Sequence, residues 1–272
     1  MAWDGPILRA SPPRSTFLMR LLSLGPAALV LLSACDSAED PPASDLVEIT
    51  VLVAYTDSAR AATPDIEATI RAGFDTTNAV YARSRIDLRL VPVHFEEVDY
   101  ASSDRLGALA DLIGTDDGAL DELHTLRDTH EADVVLLVPG RPGLTINGSV
   151  MATPETAFLI VKWDVLAYGL AHELGHLQGA RHAFEDEPTL EPFPYGHGFR
   201  NERFHTIMTG GSPELVPVFS GPDQVHDGVV LGDSTYRDVA RVIRESAVSL
   251  STFRGPRTPT DFVPPGPWPT LP

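Results

Sequence analysis

Apolar and polar positions change period along the chain in a way that predicts alternating strands and helices. Residues 47–55 alternate and then become continuously apolar, as expected of a strand that enters a buried sheet. A helix is predicted to follow from Pro64, because proline suits the first helical position. Ile66, Ile70 and Phe74 then recur at near-helical spacing.

The same alternation continues through the middle and the end of the chain. Further strands are predicted at Leu88 and Leu90 and over residues 133–138, 143–151 and 156–163, and further helices are marked by Leu120, Leu123 and Leu126 and by Val239, Val242, Ile243 and Ala247. The order strand, helix, strand, helix, strand indicates an α/β fold, a sandwich built on a mostly parallel sheet.

One predicted helix, over about residues 165–178, has both a core face and a chemical face. Its apolar stripe consists of Leu166, Leu170, Leu174 and Leu177. The other face carries His172, Glu173 and His176. They belong to the string HELGHLQGARH at residues 172–182, which has the pattern HExxHxxGxxH.

This string places three imidazoles and one carboxylate where a single catalytic zinc ion needs them. His172 and His176 lie one helical turn apart and can bind one ion from one face. Gly179 is predicted to end the helix, because a residue without Cβ adopts a positive φ easily, and His182 then returns as the third ligand. Glu173 is the predicted catalytic base, which takes a proton from a water on the zinc.

The pattern is specific as a whole and weak in its parts. An isolated HxxxH pair is as often part of a helix surface, or a hydrogen-bonded core histidine, as it is a metal site. The five fixed positions together arise by chance in a chain of this length with a probability on the order of 10⁻⁴. The complete string therefore predicts a metal centre.

The zinc string resembles that of the metzincin zinc peptidases, whose second mark is a methionine in a tight turn beneath the metal. Met208 is the single methionine after His182, and it takes that role by resemblance. Over about residues 46–254 the chain is similar to the bacterial reprolysin-like peptidases related to peptidyl-Asp metalloendopeptidases. The similar segments are VLVAYT at 51–56, TNAVY at 77–81, HTLRD at 124–128, ADVV at 132–135 and FSGP at 219–222.

The resemblance implies a metzincin-like zincin: a mixed, mostly parallel twisted sheet, an active-site helix with HExxH, and a smaller C-terminal subdomain with the Met-turn and a terminal helix. It also implies an antiparallel edge strand along the cleft, where a protein or peptide substrate binds in extended form as an added strand. A zinc-dependent endopeptidase is the predicted function. The alternatives are a catalytically silent surface protein that keeps the zinc fold for binding, and an esterase or amidase that uses the same zinc water.

Two positions depart from the family pattern. Relatives often have Asp immediately after the third histidine, and this chain has Ala183 there. A carboxylate that braces the ligand loop must therefore come from Glu185, Asp186 or elsewhere. Some metzincins also carry a tyrosine two residues after the methionine, where this chain has Gly210.

Without that tyrosine, the zinc itself or a nearby side chain must assist the developing oxyanion. Tyr195 and His197 are the candidates, although a loop with two turn glycines is the simpler interpretation of their stretch. Relatives that cleave before acidic residues suggest a cationic S1′ pocket. Arg200 and Arg203 lie in the corresponding loop region.

The first residues of the chain predict an export signal. Arg14 and Arg20 precede an apolar run over residues 21–34, which is too short to span a bilayer but typical of a signal peptide. Residues 1–34 are therefore assigned to a signal peptide, with Met19 as an alternative start. The letters LSAC at 32–35 resemble a bacterial lipobox. They predict a lipid on Cys35 and an exported protein anchored on the outer side of a bacterial membrane; a secreted protein is the alternative.

Residues 35–45 are predicted to be a tether, residues 46–254 the metallopeptidase domain, and residues 255–272 a proline-rich disordered tail. The net charge of −18 argues against nucleic acid as a partner. One cysteine leaves no internal disulfide, so stability must come from the core and the metal. We expect a monomer.

A calcium site is the weaker interpretation of one acidic stretch. Asp116, Asp117, Asp121 and Glu122 offer suitable oxygen ligands. Carboxylates at the start of a helix are explained by its dipole and its caps, which is the interpretation we favour.

Overall fold

The computed structural model describes residues 46–101, 104–140, 146–147, 150–211 and 213–255. The signal peptide, the lipobox with Cys35, the tether and the tail after residue 255 lie outside these ranges and stay predictions. Within the described ranges, no helix combines the length and the apolar character needed to cross a bilayer.

A five-stranded sheet forms the centre of the fold. Its strands are β1 (Val47–Thr56), β2 (Leu88–Val98), β3 (Val134–Val138), β4 (Ile146–Asn147) and β5 (Phe158–Ile160), in the spatial order β2-β1-β3-β5-β4. The first four strands in that order run parallel, and β4 pairs antiparallel with β5 at the edge. The predicted mostly parallel sheet, with an antiparallel strand at its edge, is confirmed.

Helices cover both faces of this sheet. They are α1 (Asp57–Ala62), α2 (Ile66–Arg83), α3 (Arg105–Ile113), α4 (Glu122–Thr129), α5 (Leu166–Leu177) and α6 (Val239–Leu250). Side chains of α2, α5 and α6 share one core with Val51 and Val53 of β1, whereas α3 and α4 share a second core with Leu52 and Ala54. Successive strand residues thus point into different layers. The predicted α/β class is confirmed.

The helices differ from the sequence prediction in three respects. Leu120, one of the leucines taken to mark a helix, has a φ of 62° and lies before α4. Periodicity does not predict α1, which buries Ala59 alone and so has no apolar stripe, nor the short α3. The second helix begins at Ile66 rather than at Pro64, because the Asp65 side chain caps it by accepting a hydrogen bond from the N–H of Ala68 (3.0 Å).

The chain after α5 forms small two-stranded sheets before α6 packs back onto the central core. The strand pairs are β6 (Arg181–Ala183) with β7 (His197–Gly198), β8 (Phe204–His205) with β9 (Glu214–Leu215), and β10 (Val225–His226) with β11 (Val229–Val230). A small core of Phe204, Val216, Val218 and Leu231 supports this region. It corresponds to the predicted C-terminal subdomain.

The ligand-bearing helix α5 ends in a turn that requires glycine. The N–H of Gly179 donates to the carbonyl of His176 (2.9 Å), and that of Ala180 donates to Gly175 (2.8 Å), the two hydrogen bonds of a Schellman motif. Gly179 has a φ of 101°, and a Cβ there would lie 2.7 Å from a ring carbon of Phe193. This turn reverses the chain from α5 into β6, which carries the third histidine.

Replacing this glycine should destabilise the fold. Gly179→Ala is expected to lower the free energy of unfolding by roughly 2–4 kcal/mol, because alanine is strained at positive φ and its Cβ would meet Phe193. Gly210→Ala is the matched control, since a Cβ at Gly210 has no atom within 4 Å, and it should change stability by less than about 0.5 kcal/mol. Urea unfolding of both variants measures the difference, and equal losses would contradict the role of the turn.

Candidate metal centre

Three histidines meet on one side of α5. His172 and His176 lie one turn apart on the helix, with Glu173 between them in sequence, and His182 comes from β6. Their Nε2 atoms are separated by 3.1 Å (172 to 176), 3.2 Å (176 to 182) and 3.3 Å (172 to 182). Among the described residues, no other group of three or more histidine, cysteine or carboxylate side chains could hold a metal ion.

The other nitrogen of each imidazole faces an oxygen atom. The first two histidines donate from Nδ1 to the backbone carbonyls of Ile207 and Ala180, each over 2.8 Å. The third, His182, has its Nδ1 3.5 Å from Oε2 of Glu187. Because a carbonyl oxygen can only accept, the protons of His172 and His176 lie on Nδ1, and the Nε2 lone pairs of these two imidazoles are free to bind a metal ion.

Burial favours the neutral form of the three imidazoles. It lowers the pKa of His172 and His182 below the ordinary value, and it lowers the pKa of His176 to about 3. Neighbouring imidazoles lower the pKa of His176 and His182 further, whereas the charges of Glu187 and Glu173 raise that of His182. Glu173, itself 7% exposed, therefore lies close enough for its charge to act on the third histidine.

The nitrogen triangle fits a tetrahedral zinc ion. Zinc binds imidazole nitrogen at about 2.0–2.1 Å, and two corners of a tetrahedron of that radius are about 3.3 Å apart. The observed separations of 3.1, 3.2 and 3.3 Å agree with this value. Three neutral nitrogens also match the donor set of a catalytic zinc site, which leaves the fourth position open.

Met208 lies directly beneath α5 and is fully buried. A Cβ on Gly175 would lie 2.5 Å from Sδ of Met208, and a Cβ on Gly198 would lie 3.0 Å from Cβ of Met208. The preceding residue, Ile207, supplies the carbonyl that accepts from the first ligand. The turn expected by resemblance thus contacts the ligand helix through both packing and a hydrogen bond.

The edge of the sheet is linked to the same helix. Just after β4, the N–H groups of Met151 and Ala152 donate to the carbonyls of His176 (2.9 Å) and Leu177 (2.7 Å). The end of α5 therefore holds the segment that follows the edge strand.

The carboxylate beside the third ligand differs from the two that the sequence suggests. Glu185 and Asp186 pair with Arg237 and Arg200, and Glu187 is the one whose oxygen faces the imidazole of His182. Sequence reasoning missed Glu187, because the local turn decides which of three successive carboxylates returns to the ligand.

Tyr195 and His197 are hydrogen-bonded within their own surroundings. His197 is fully buried, and its two ring nitrogens face the carbonyls of His182 (2.9 Å) and Thr189 (2.7 Å). The Tyr195 hydroxyl donates to Glu245 (2.6 Å). These contacts give both side chains a structural role in their loops and do not support the oxyanion role expected for one of them.

The two arginines suggested for a cationic pocket have different surroundings. Arg200 donates to the carbonyl of Gly210 (3.3 Å), two residues after Met208, and to Asp186 (2.8 Å). Arg203 lies over the ring of Phe204 and pairs with Asp227 (3.8 Å). Arg200 is therefore the one beside the Met-turn.

The acidic stretch before α4 is engaged with its own backbone. Asp117 accepts from the N–H of Ala119 (2.9 Å), and Asp121 accepts from the N–H of Gly118 (3.0 Å). Asp121 is the N-cap residue of α4 but makes no side-chain hydrogen bond to the helix, so these carboxylates close the turn before α4 and the expected side-chain cap is absent.

Comparisons with known proteins agree with this geometry. The model of the metallo-peptidase family M12 matches residues 46–216. A peptidyl-Asp metalloendopeptidase of Stenotrophomonas maltophilia (strain R551-3) is 33% identical over 220 residues, which cover 76% of this chain and 52% of that protein. Another, from Xanthomonas campestris pv. campestris, is 31% identical over 232 residues, which cover 82% of this chain and 55% of that protein. The chain spans about half the length of these relatives.

A solved structure described as a chaperone-substrate complex has a similar fold. The TM-score is 0.65 at 19% identity, and the match covers 77% of this chain and 36% of that chain. At this identity the likeness concerns the fold alone. The three histidines, Glu173 and Met208 all lie within residues 46–216, the region matched by the family model, and the chain belongs to the metallo-peptidase family M12.

Proposed function

We propose that the protein is a zinc-dependent endopeptidase that hydrolyses peptide bonds, with Glu173 as its general base. The observation that carries this proposal is the convergence of three imidazole nitrogens, 3.1–3.3 Å apart. Two of these imidazoles belong to α5, the helix that also bears Glu173. Membership of the M12 family and the names of the relatives support it.

Zinc, when bound, would polarise the scissile carbonyl and lower the pKa of water at the open position. His172, His176 and His182 would hold the ion through Nε2 as neutral ligands. Glu173 would take one proton from the attacking water on a carboxylate oxygen and deliver it to the nitrogen of the leaving amine, while the hydroxyl group stays with the new carboxylic acid.

An extended substrate would bind along the edge strand β4, because the outer backbone groups of an edge can pair with an added strand. The hydrogen bonds from Met151 and Ala152 to the end of α5 favour this site, since they connect the edge to the ligand helix. The relatives are named for Asp, so we expect the substrate to carry an aspartyl residue at the cleaved bond. Arg200, beside Gly210, is the candidate cation for it, although Asp186 already pairs with this arginine.

Glu173→Gln should separate chemistry from metal binding. The amide cannot accept the proton, so kcat/KM on an unfolded protein should fall by about 10²–10⁴-fold, while zinc affinity stays within about threefold. His176→Gln, which removes a ligand, should lose both activity and zinc. The parent chain should cut, and 1,10-phenanthroline should stop it.

Cutting by Glu173→Gln at the parent rate would overturn the role of Glu173. A folded parent chain that binds zinc but cuts no member of a diverse peptide library would favour a binding module instead of a peptidase.

The zinc-free protein should lose stability in acid. Because burial holds the pKa of His176 near 3, below the ordinary 6.5, the unfolded chain binds protons at a pH where the folded chain does not. The free energy of unfolding is therefore unaffected by His176 above about pH 6.5 and declines as the pH falls. For this residue the loss is about 2 kcal/mol at pH 5. Urea unfolding with a chelator at pH 7.5 and pH 5 measures it. His176→Gln should show a smaller difference between the two pH values, and an unchanged difference would contradict the assignment.

Cleavage positions test the substrate preference. Mass-spectrometric mapping of a digested proteome should show aspartate enriched on one side of the cleaved bonds. Arg200→Gln should reduce this enrichment, with Arg203→Gln as the control of equal charge. A cleavage pattern indifferent to aspartate would contradict the expectation taken from the relatives.

A further inference from the structure

The loop that follows the third ligand is fixed by three successive ion pairs. The pairs are Glu185 with Arg237, Asp186 with Arg200 (2.8 Å) and Glu187 with Arg181 (2.5 Å). The three arginines come from different places in the chain: one precedes α6, one follows β7, and one begins β6. Replacing any one of these three carboxylates therefore removes one negative charge and one ion pair from the same loop, so the three variants can be compared directly.

Glu187 differs from the other two because it bridges to a metal-binding side chain. Its Oε1 accepts from Nη1 of Arg181, and its Oε2 lies 3.5 Å from Nδ1 of His182. A tight turn brings it there, since the N–H groups of Asp186 and Glu187 both donate to the carbonyl of Ala183, over 3.0 and 3.1 Å. The turn returns the chain so that the fifth residue after His182 faces it.

His182 depends on such a partner more than the other two histidines do. Their Nδ1 atoms donate to backbone carbonyls at the helix end and the Met-turn, which are fixed by packing. His182 faces a side chain instead, and 47% of its own side chain is exposed. An exposed imidazole without an acceptor on Nδ1 would sample other ring orientations and the other tautomer.

We infer that Glu187, oriented by Arg181, is the positioning residue of the third zinc ligand. Its carboxylate accepts the Nδ1 proton of His182 and so directs the Nε2 lone pair towards the other two histidines. It occupies the role left open by Ala183, and this inference rests on the proposed zinc function. Carboxylate partners of this kind change metal affinity by about 10–100-fold in other zinc sites.

Zinc affinity measured on the full chain tests this inference without reference to activity. The variants are Glu187→Ala, with Glu185→Ala and Asp186→Ala as controls that remove the same charge and a neighbouring ion pair. Competition with a chromophoric chelator at pH 7.5 should show a dissociation constant for zinc raised about 10–100-fold in Glu187→Ala, and within about threefold of the parent in both controls.

A second measurement separates positioning from loop stability. The urea midpoint of the zinc-free protein should shift by a similar amount in all three variants, because each loses one partly exposed ion pair. Glu187→Gln should give an intermediate zinc affinity, since its amide oxygen can still accept from His182 while its ion pair with Arg181 is lost.

The inference would be overturned if Glu187→Ala and the two controls bound zinc equally well, whether all three matched the parent or all three lost affinity by the same factor. If the parent chain itself binds no zinc, the proposed function fails, and the role of Glu187 fails with it. If the parent binds zinc and cuts protein while Glu187→Ala matches the controls, only the role of Glu187 fails.

Discussion

The metal centre depends on where each imidazole finds an acceptor for its second nitrogen. A neutral histidine has one proton to donate and one lone pair to share, so an oxygen at Nδ1 determines the direction of the lone pair at Nε2. Ile207 and Ala180 supply two of these oxygens, and Glu187 is the acceptor that we propose for the third histidine. Three separate segments must therefore be held in place before the nitrogens can converge.

Much of the surrounding structure holds these segments in place. The Schellman turn at Gly179 sets the position of the Ala180 carbonyl and the direction of β6. The packing of Met208 against α5 sets the position of the Ile207 carbonyl. The core layer that contains Val51 and Val53 also contains the apolar side chains of α5, so the position of the ligand helix derives from the α/β architecture.

The sequence predicted the elements whose signal is periodic or contiguous. The buried strand β3, the amphipathic α5 and the ligand string are of this kind, because each is a continuous apolar run or follows a regular spacing. The brace of the third ligand is different, since the turn from Ala183 decides which carboxylate returns. His197 likewise looks available in the sequence, yet carbonyls distant along the backbone occupy both of its ring nitrogens.

The contact between Gly175 and Met208 has a further consequence for sequence variation. The thioether sulfur occupies the space where a side chain on the helix would begin, 2.5 Å from the position of a Cβ. Helix and turn therefore have complementary shapes, and a larger residue at one position requires a smaller one at the other. Among chains with this arrangement, residues 175 and 208 should change together, so that the two positions behave as one structural unit although 33 positions separate them in the sequence.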